Sequence, residues 1–125
     1  MARHNEMGKR GEQLAVIFLV RQGYAILHCN WRSAHYEIDI IAVKNKVLHF
    51  IEVKTRSTDR FGYPEASVTN KKLHHLLRAG SAFLFHSPKF KEAQCDILSI
   101  VLYKNDSPQY FLIEDVYLYP FDGTE

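Results

Sequence analysis

Apolar residues recur at helical spacing near the start of the chain. Leu14, Ala15, Phe18 and Leu19 share one face of a segment spanning 5–22, with Asn5 suited to the N-terminal cap and Gly23 to the stop. Beyond Gly23 the period shortens to that of strands. Stretches at 24–30, 37–43 and 47–54 are rich in Ile, Val and Phe, and Lys44-Asn45-Lys46 joins the last two as a hairpin. Residues 55–64 are polar and close on Gly62-Tyr63-Pro64, which predicts a loop. Helical spacing returns over 70–85, with Leu73, Leu76, Leu77, Gly80 and Leu84 inward. Strands at 96–103 and 110–116 then flank the turn Asn105-Asp106-Ser107-Pro108. Helix, three strands, helix, two strands predicts a mixed sheet flanked by helices, an α/β (α+β) single domain over 1–125.

The hairpin carries the sharpest chemistry. Alternation places Glu37, Asp39 and Ile41 on one face of its first strand, and Phe50, Glu52 and Lys54 on one face of its second. If Lys44 faces Val47, Asp39 lies opposite Glu52 and Glu37 opposite Lys54. Opposed carboxylates in an apolar sheet repel and require a cation, which can be Lys54 or a divalent metal. Mg²⁺ suits such a site: it favours carboxylate oxygens, keeps several waters, and needs little more than two acids and a backbone carbonyl, here that of Val53. The set fits metal-assisted phosphodiester hydrolysis, with Lys54 positioning or helping to deprotonate the attacking water. The competing reading is a solvated hairpin face with cross-strand ion pairs, which contribute little to stability. Asp39, set within a run of Ile and Ala, favours function. Glu12 borders the buried stripe of the first helix and reads, on its own, as a surface residue.

Charge points to a partner only when it is divided along the chain. The net charge is +2, but residues 1–91 carry a balance of +8 and residues 92–125 a balance of −6. No acid occurs over 66–91, while Lys71, Lys72, Arg78, Lys89 and Lys91 do. Such a stretch attracts a polyanion, nucleic acid above all, or else is a solvated basic face neutralised by the tail. Composition excludes disorder and low-complexity sequence, at 46% hydrophobic and 24% charged residues. The longest apolar run, 14–20, is far short of the ~20 residues that span a membrane, and it makes a poor signal peptide. A cytoplasmic protein without membrane association is expected. Cys29 and Cys95 read as small packing residues, and no zinc-binding spacing occurs among the seven histidines.

Glu37-Ile38-Asp39-Ile40-Ile41-Ala42 followed by Phe50-Ile51-Glu52-Val53-Lys54-Thr55-Arg56 resembles the YraN family of small bacterial proteins. Gly8, Gly11-Glu12, Leu14-Ala15, Phe61-Gly62-Tyr63-Pro64, Lys71 or Lys72 and Asp96 fall where that family has comparable residues, so the likeness covers about 8–102 and leaves 103–125 as an extension. The family is similar to the restriction-endonuclease-like fold and its PD-(D/E)xK core, with archaeal Holliday-junction resolvases as the nearest characterised relatives. The resemblance implies Asp39, Glu52 and Lys54 as that core, and Glu12 as a further site residue on the first helix. It implies Mg²⁺-dependent cleavage of DNA leaving a 5′-phosphate, with Mn²⁺ as a possible substitute, and a homodimer by analogy. Two departures stand out: Tyr36 occupies the position of a usual Gly, and Gln94-Cys95 precedes Asp96 where Arg-Phe is frequent.

Thr55, Arg56 and Arg60 follow Lys54 directly, and they are expected to hold phosphates flanking the scissile bond. Lys71 and Lys72, at the start of the second helix, make a further phosphate seat. Trp31 and Tyr36 can stack on unpaired bases, although packing is the commoner fate of such a Trp. Of His74 and His75, one is expected to pack and one to be solvated. A DNA endonuclease is thus the leading reading, with branched or repair intermediates as its candidate substrates. A non-catalytic nucleic-acid-binding module, a partner-dependent subunit and a structural protein docking through its acidic tail are the alternatives.

Overall fold

The first apolar stripe forms α1 (Asn5–Arg21), with Ala15 and Leu19 completely buried and Ile17 and Val20 on the outer side. Gly23 turns the chain out of the helix at φ 97°, a conformation that costs other residues a steric penalty, and Tyr24 N–H closes back onto Leu19 O at 3.0 Å. A computed structural model describes residues 5–57 and 69–116. After α1 come β1 (Ala25–Ser33), β2 (Tyr36–Lys44), β3 (Val47–Arg56), α2 (Asn70–Phe85), β4 (Ala93–Val101) and β5 (Gln109–Ile113).

The strands form one sheet in the order β1-β2-β3-β4-β5. β3 and β4 run parallel, connected across α2, and the other neighbours are antiparallel. This is the expected mixed sheet flanked by helices, an α+β architecture. The β2–β3 hairpin has Lys44 opposite Val47, the expected register. Asn45 and Lys46 form its two-residue loop with φ of 53° and 68°, both positive as the right-handed strand twist favours.

Each sheet face has its own helix. Ala15 and Leu19 of α1 pack on Ile40, Ala42, Ile51, Leu98 and Ile100. Leu73, Leu76, Ala79 and Phe83 of α2 pack on Ile41, Phe50, Cys95 and Ile97. α1 approaches β3 closely at Gly11, where any Cβ would collide with the Thr55 side chain. Thr69 caps α2, its Oγ1 accepting from Lys72 N at 3.2 Å.

Several boundaries depart from the periodicity, and β4 and β5 also end earlier than expected, at Val101 and Ile113. β1 continues past residue 30 to Ser33, because its alternation is interrupted by a register shift between Ile26 and His28 and by Asn30 at φ 55°. β3 continues through Thr55 and Arg56, residues expected in a loop, because β4 offers them backbone partners as far as Val101. β4 begins at Ala93 for the same reason, paired with Leu48. Of the remaining expected loop, 58–64 lies outside the described residues, as does 117–125 of the extension. Among the described residues no helix is long and apolar enough to cross a membrane. Cys29 is exposed, against the expectation that it packs, while Cys95 is buried; both are free thiols.

Candidate active site

β2 and β3 part company just where their polar residues begin. The last pair of their ladder is Ile40 with Ile51, and the next acceptor on β2 is a side chain: Asp39 Oδ2 accepts from Val53 N at 2.8 Å. The carboxylate therefore takes the place of a backbone carbonyl at the mouth of the fork. Glu37, Ile38, Asp39 and Glu52 line a cavity there of about 210 Å³, closed on the far side by His75 and Leu76 of α2.

Asp39 is half-buried, and its carboxyl is pushed up from 3.8 to about 6. Burial is the largest cause; the Val53 N–H opposes it, and the charges of Glu52, Glu12 and Glu37 add to it. Among the described residues Asp39 has no ion pair. The expected cross-strand pairing of Glu37 with Lys54 does not form. Glu37 pairs with Arg32 on β1 at 3.5 Å, a solvent-exposed contact worth little. Lys54 instead turns to Glu52, two residues before it on the same face, at 3.8 Å.

Glu12 is half-buried on α1 and accepts from Asn30 Nδ2 at 3.3 Å. Its charge acts on Asp39 from the other side of the fork. Asn30 was not singled out by sequence reasoning. Its signal is the left-handed backbone within β1, which Asn tolerates better than most residues and which coincides with its contact to Glu12.

The expected phosphate contacts divide. Lys72 is beside Lys54: burial, then contact with the Lys54 amine, lower its pKa, and Glu52 acts in the opposite sense. Lys71 is exposed and faces a neighbouring groove. Arg56 is half-buried on β3, two residues beyond Lys54. Thr55 is turned the other way, under α1 against Gly11, and is not brought to the acid cavity. Arg60 lies outside the described residues. Trp31 packs edge-on against Phe83, with ring centroids 5.4 Å apart, and so belongs to the core. His74 is half-buried and His75 exposed.

A second polar cluster lies on the α1 face of the sheet. His49 Nδ1 and Asp96 Oδ2 are 2.6 Å apart and both residues are buried. Asp96 Oδ1 accepts from Gln94 Nε2 at 2.9 Å and from Asp115 N at 2.8 Å. Tyr24 stands edge-on to His49, and its hydroxyl is pushed up to about 12 by burial, then by Asp96 and Glu114. Gln94, two residues before Asp96, is thus a partner of that Asp. The cluster ties β3, β4 and the segment after β5 together.

The fit of a metal ion follows from the donors. Among the described residues no three His, Cys, Asp or Glu side chains converge closely enough to hold an ion unaided. Asp39 and Glu52 do share one cavity, and both offer hard oxygens. Two carboxylates completed by a backbone carbonyl, water and a substrate phosphate suit Mg²⁺ or Mn²⁺, which rarely take an all-protein cage.

Residues 11–100 match the profile described as "Uncharacterised protein family UPF0102". A UPF0102 protein of Bacteroides thetaiotaomicron is 48% identical over 84 residues, which is 67% of this chain and 69% of that protein. UPF0102 proteins of Parabacteroides distasonis and Phocaeicola vulgatus are 43% and 42% identical over 101 residues, each covering 81% of this chain and 84% of the relative.

Proposed function

The chain belongs to the UPF0102 family, and from that premise we propose that it is a metal-dependent endonuclease of restriction-endonuclease-like fold, akin to the archaeal Holliday-junction resolvases, that hydrolyses DNA phosphodiester bonds. One observation carries the reading. A half-buried carboxylate, Asp39, is held at a strand fork by the Val53 N–H, in the field of three further acids, with Lys54 beside one of them. A carboxylate placed for stability is normally given a cation or several donors. Asp39 is given more negative charge, an arrangement suited to recruiting a divalent ion.

Asp39, Glu52 and the Val53 carbonyl would hold Mg²⁺ or Mn²⁺, with Glu12 completing the acidic surround. The ion, when bound, lowers the pKa of a coordinated water and offsets charge developing on the phosphate. Lys54, tethered by Glu52, orients the attacking water and donates to the phosphate oxygens. Lys72 adds a second ammonium beside it, matched to the polyanionic strand. Asn30 fixes the Glu12 carboxylate toward the fork.

The test is a set of labelled four-way junction, flap, single-stranded and linear duplex DNAs incubated with Mg²⁺, Mn²⁺ or chelator. Products that require metal and vanish with Lys54→Ala support the proposal, and the preferred DNA names the substrate. Intact but shifted DNA for both proteins would replace the nuclease with a binding module.

A further inference from the structure

A second concavity, of about 510 Å³, opens between the β1–β2 turn and α2. His35, Tyr36, Lys71, His74, His75 and Arg78 line it. It adjoins the acid cavity: His75 lines both, and Tyr36 directly precedes Glu37. The two differ sharply in character. The acid cavity presents Glu37, Asp39 and Glu52, whereas among the described residues no acid lines the groove and Lys71 and Arg78 do.

The groove also has an aromatic wall. The Tyr36 ring is 4.3 Å from His35 at an interplanar angle of 33°, and 5.9 Å from His75. Tyr36 rests on the α2-side core, so the platform is anchored from behind. Lys71, His75 and Arg78 are exposed and follow one another at helical spacing along α2. Lys71 and Arg78 are separated by about 10 Å of helix axis, with the aromatic rings facing the interval. The volume is within the range of about 300–1,000 Å³ typical of small-ligand sites.

We propose that this groove binds an unpaired nucleotide of the strand entering the acid cavity. Its base extends the stack that the Tyr36 and His35 rings form with one another, and its flanking phosphates are held by Lys71 and Arg78. The proposal rests on the nuclease reading for the direction of the strand. The ring platform decides between single-stranded and duplex DNA, because base faces are available for stacking only where the strand is unpaired. A surface for duplex backbone alone would use cations without rings. The substrate class that follows is DNA with a single-stranded portion next to the scissile bond. Tyr36, the bulky residue at a position where glycine was expected from the family resemblance, becomes a specificity element.

Fluorescence anisotropy with labelled oligothymidylate and a blunt duplex, in chelator so that no cleavage occurs, tests this without turnover. Wild type binds the single strand more tightly than the duplex. Lys71→Ala combined with Arg78→Ala weakens single-strand binding at least tenfold and reduces the slope of log affinity against log salt by about 1.4. Tyr36→Ala weakens it about five- to a hundredfold without altering that slope, and Tyr36→Phe retains it. His35→Ala, at an exposed turn position, gives the same direction of change should Tyr36→Ala fail to fold. Equal affinity for duplex and single strand, or indifference to the Lys71 and Arg78 changes, would overturn the proposal. If these variants behave as expected while no DNA is ever cut with metal, the nuclease reading fails and the nucleotide groove stands.

Discussion

Replacing Asp39 by Asn isolates the charge at the fork from its shape. Asn retains an oxygen that can accept from Val53 N, now donated to at 2.8 Å by the native pair. What it removes is an anion whose pKa in the folded protein is about 6 against 3.8 in its ordinary setting. A folded-state pKa above the unfolded one means that the native protein binds the extra proton between those values, so stability falls as pH rises through that window. At about 1.36 kcal/mol per pKa unit, the ionised carboxylate costs the metal-free fold at most about 3 kcal/mol above pH 6. Asp39→Asn is therefore expected to stabilise the metal-free protein by about 1–3 kcal/mol near pH 8 and to change it little near about pH 3, below both values, where Asp39 is largely protonated in both states. Urea denaturation followed by Trp31 fluorescence reads this, since Trp31 packs against Phe83. Mg²⁺ raises the wild-type midpoint and leaves the variant unmoved. A variant less stable than wild type near pH 8, or a difference independent of pH, would refute the idea that the fork concentrates negative charge at a cost to the fold.

Other consequences are equally concrete. Asp96→Ala leaves His49, Gln94 and the Asp115 N–H without their shared acceptor, so it is expected to cost about 3–5 kcal/mol in urea denaturation. Lys46→Gly relieves a left-handed backbone in the hairpin loop and is expected to add about 0.5–1 kcal/mol, read as a higher thermal midpoint. Lys72→Ala removes a cation beside Lys54; duplex DNA binding weakens without regard to sequence, and the salt slope falls by about 0.9. Gly11→Ala forces Thr55 away from α1 and lowers stability, whereas Thr55→Ala combined with it removes the Oγ1 that the new Cβ would strike and recovers part of the loss, as a double-mutant cycle of thermal midpoints would show.

The elements were legible wherever one face alone is buried. α2 is periodic and capped at Thr69, and the β2–β3 register follows from a two-residue loop, so both agree with the pattern of the sequence. The ends of β3 and β4 were not legible, because parallel pairing is between segments far apart in sequence and gives Thr55 and Arg56 partners that no local signal announces. The parting of the strands at Asp39 was hidden for a related reason: alternation sets a side chain's face but not whether the ladder continues beside it. Glu37 pairs with Arg32 because β1 flanks β2 on its other edge, a choice made by sheet order. Lys71 and Lys72, adjacent in sequence, serve two different surfaces because successive helical residues point about 100° apart.

Single-turnover cleavage of DNA in Mg²⁺ by wild type and Asp39→Asn, with binding measured in parallel in Ca²⁺, separates a metal-holding Asp39 from one that only supports the fold. The variant is expected to lose cleavage by about a hundred- to a thousandfold, as removal of a charge-stabilising group at a reaction centre does, while DNA binding is unchanged or tighter. Cleavage at the wild-type rate by a folded Asp39→Asn protein would contradict the metal-holding role.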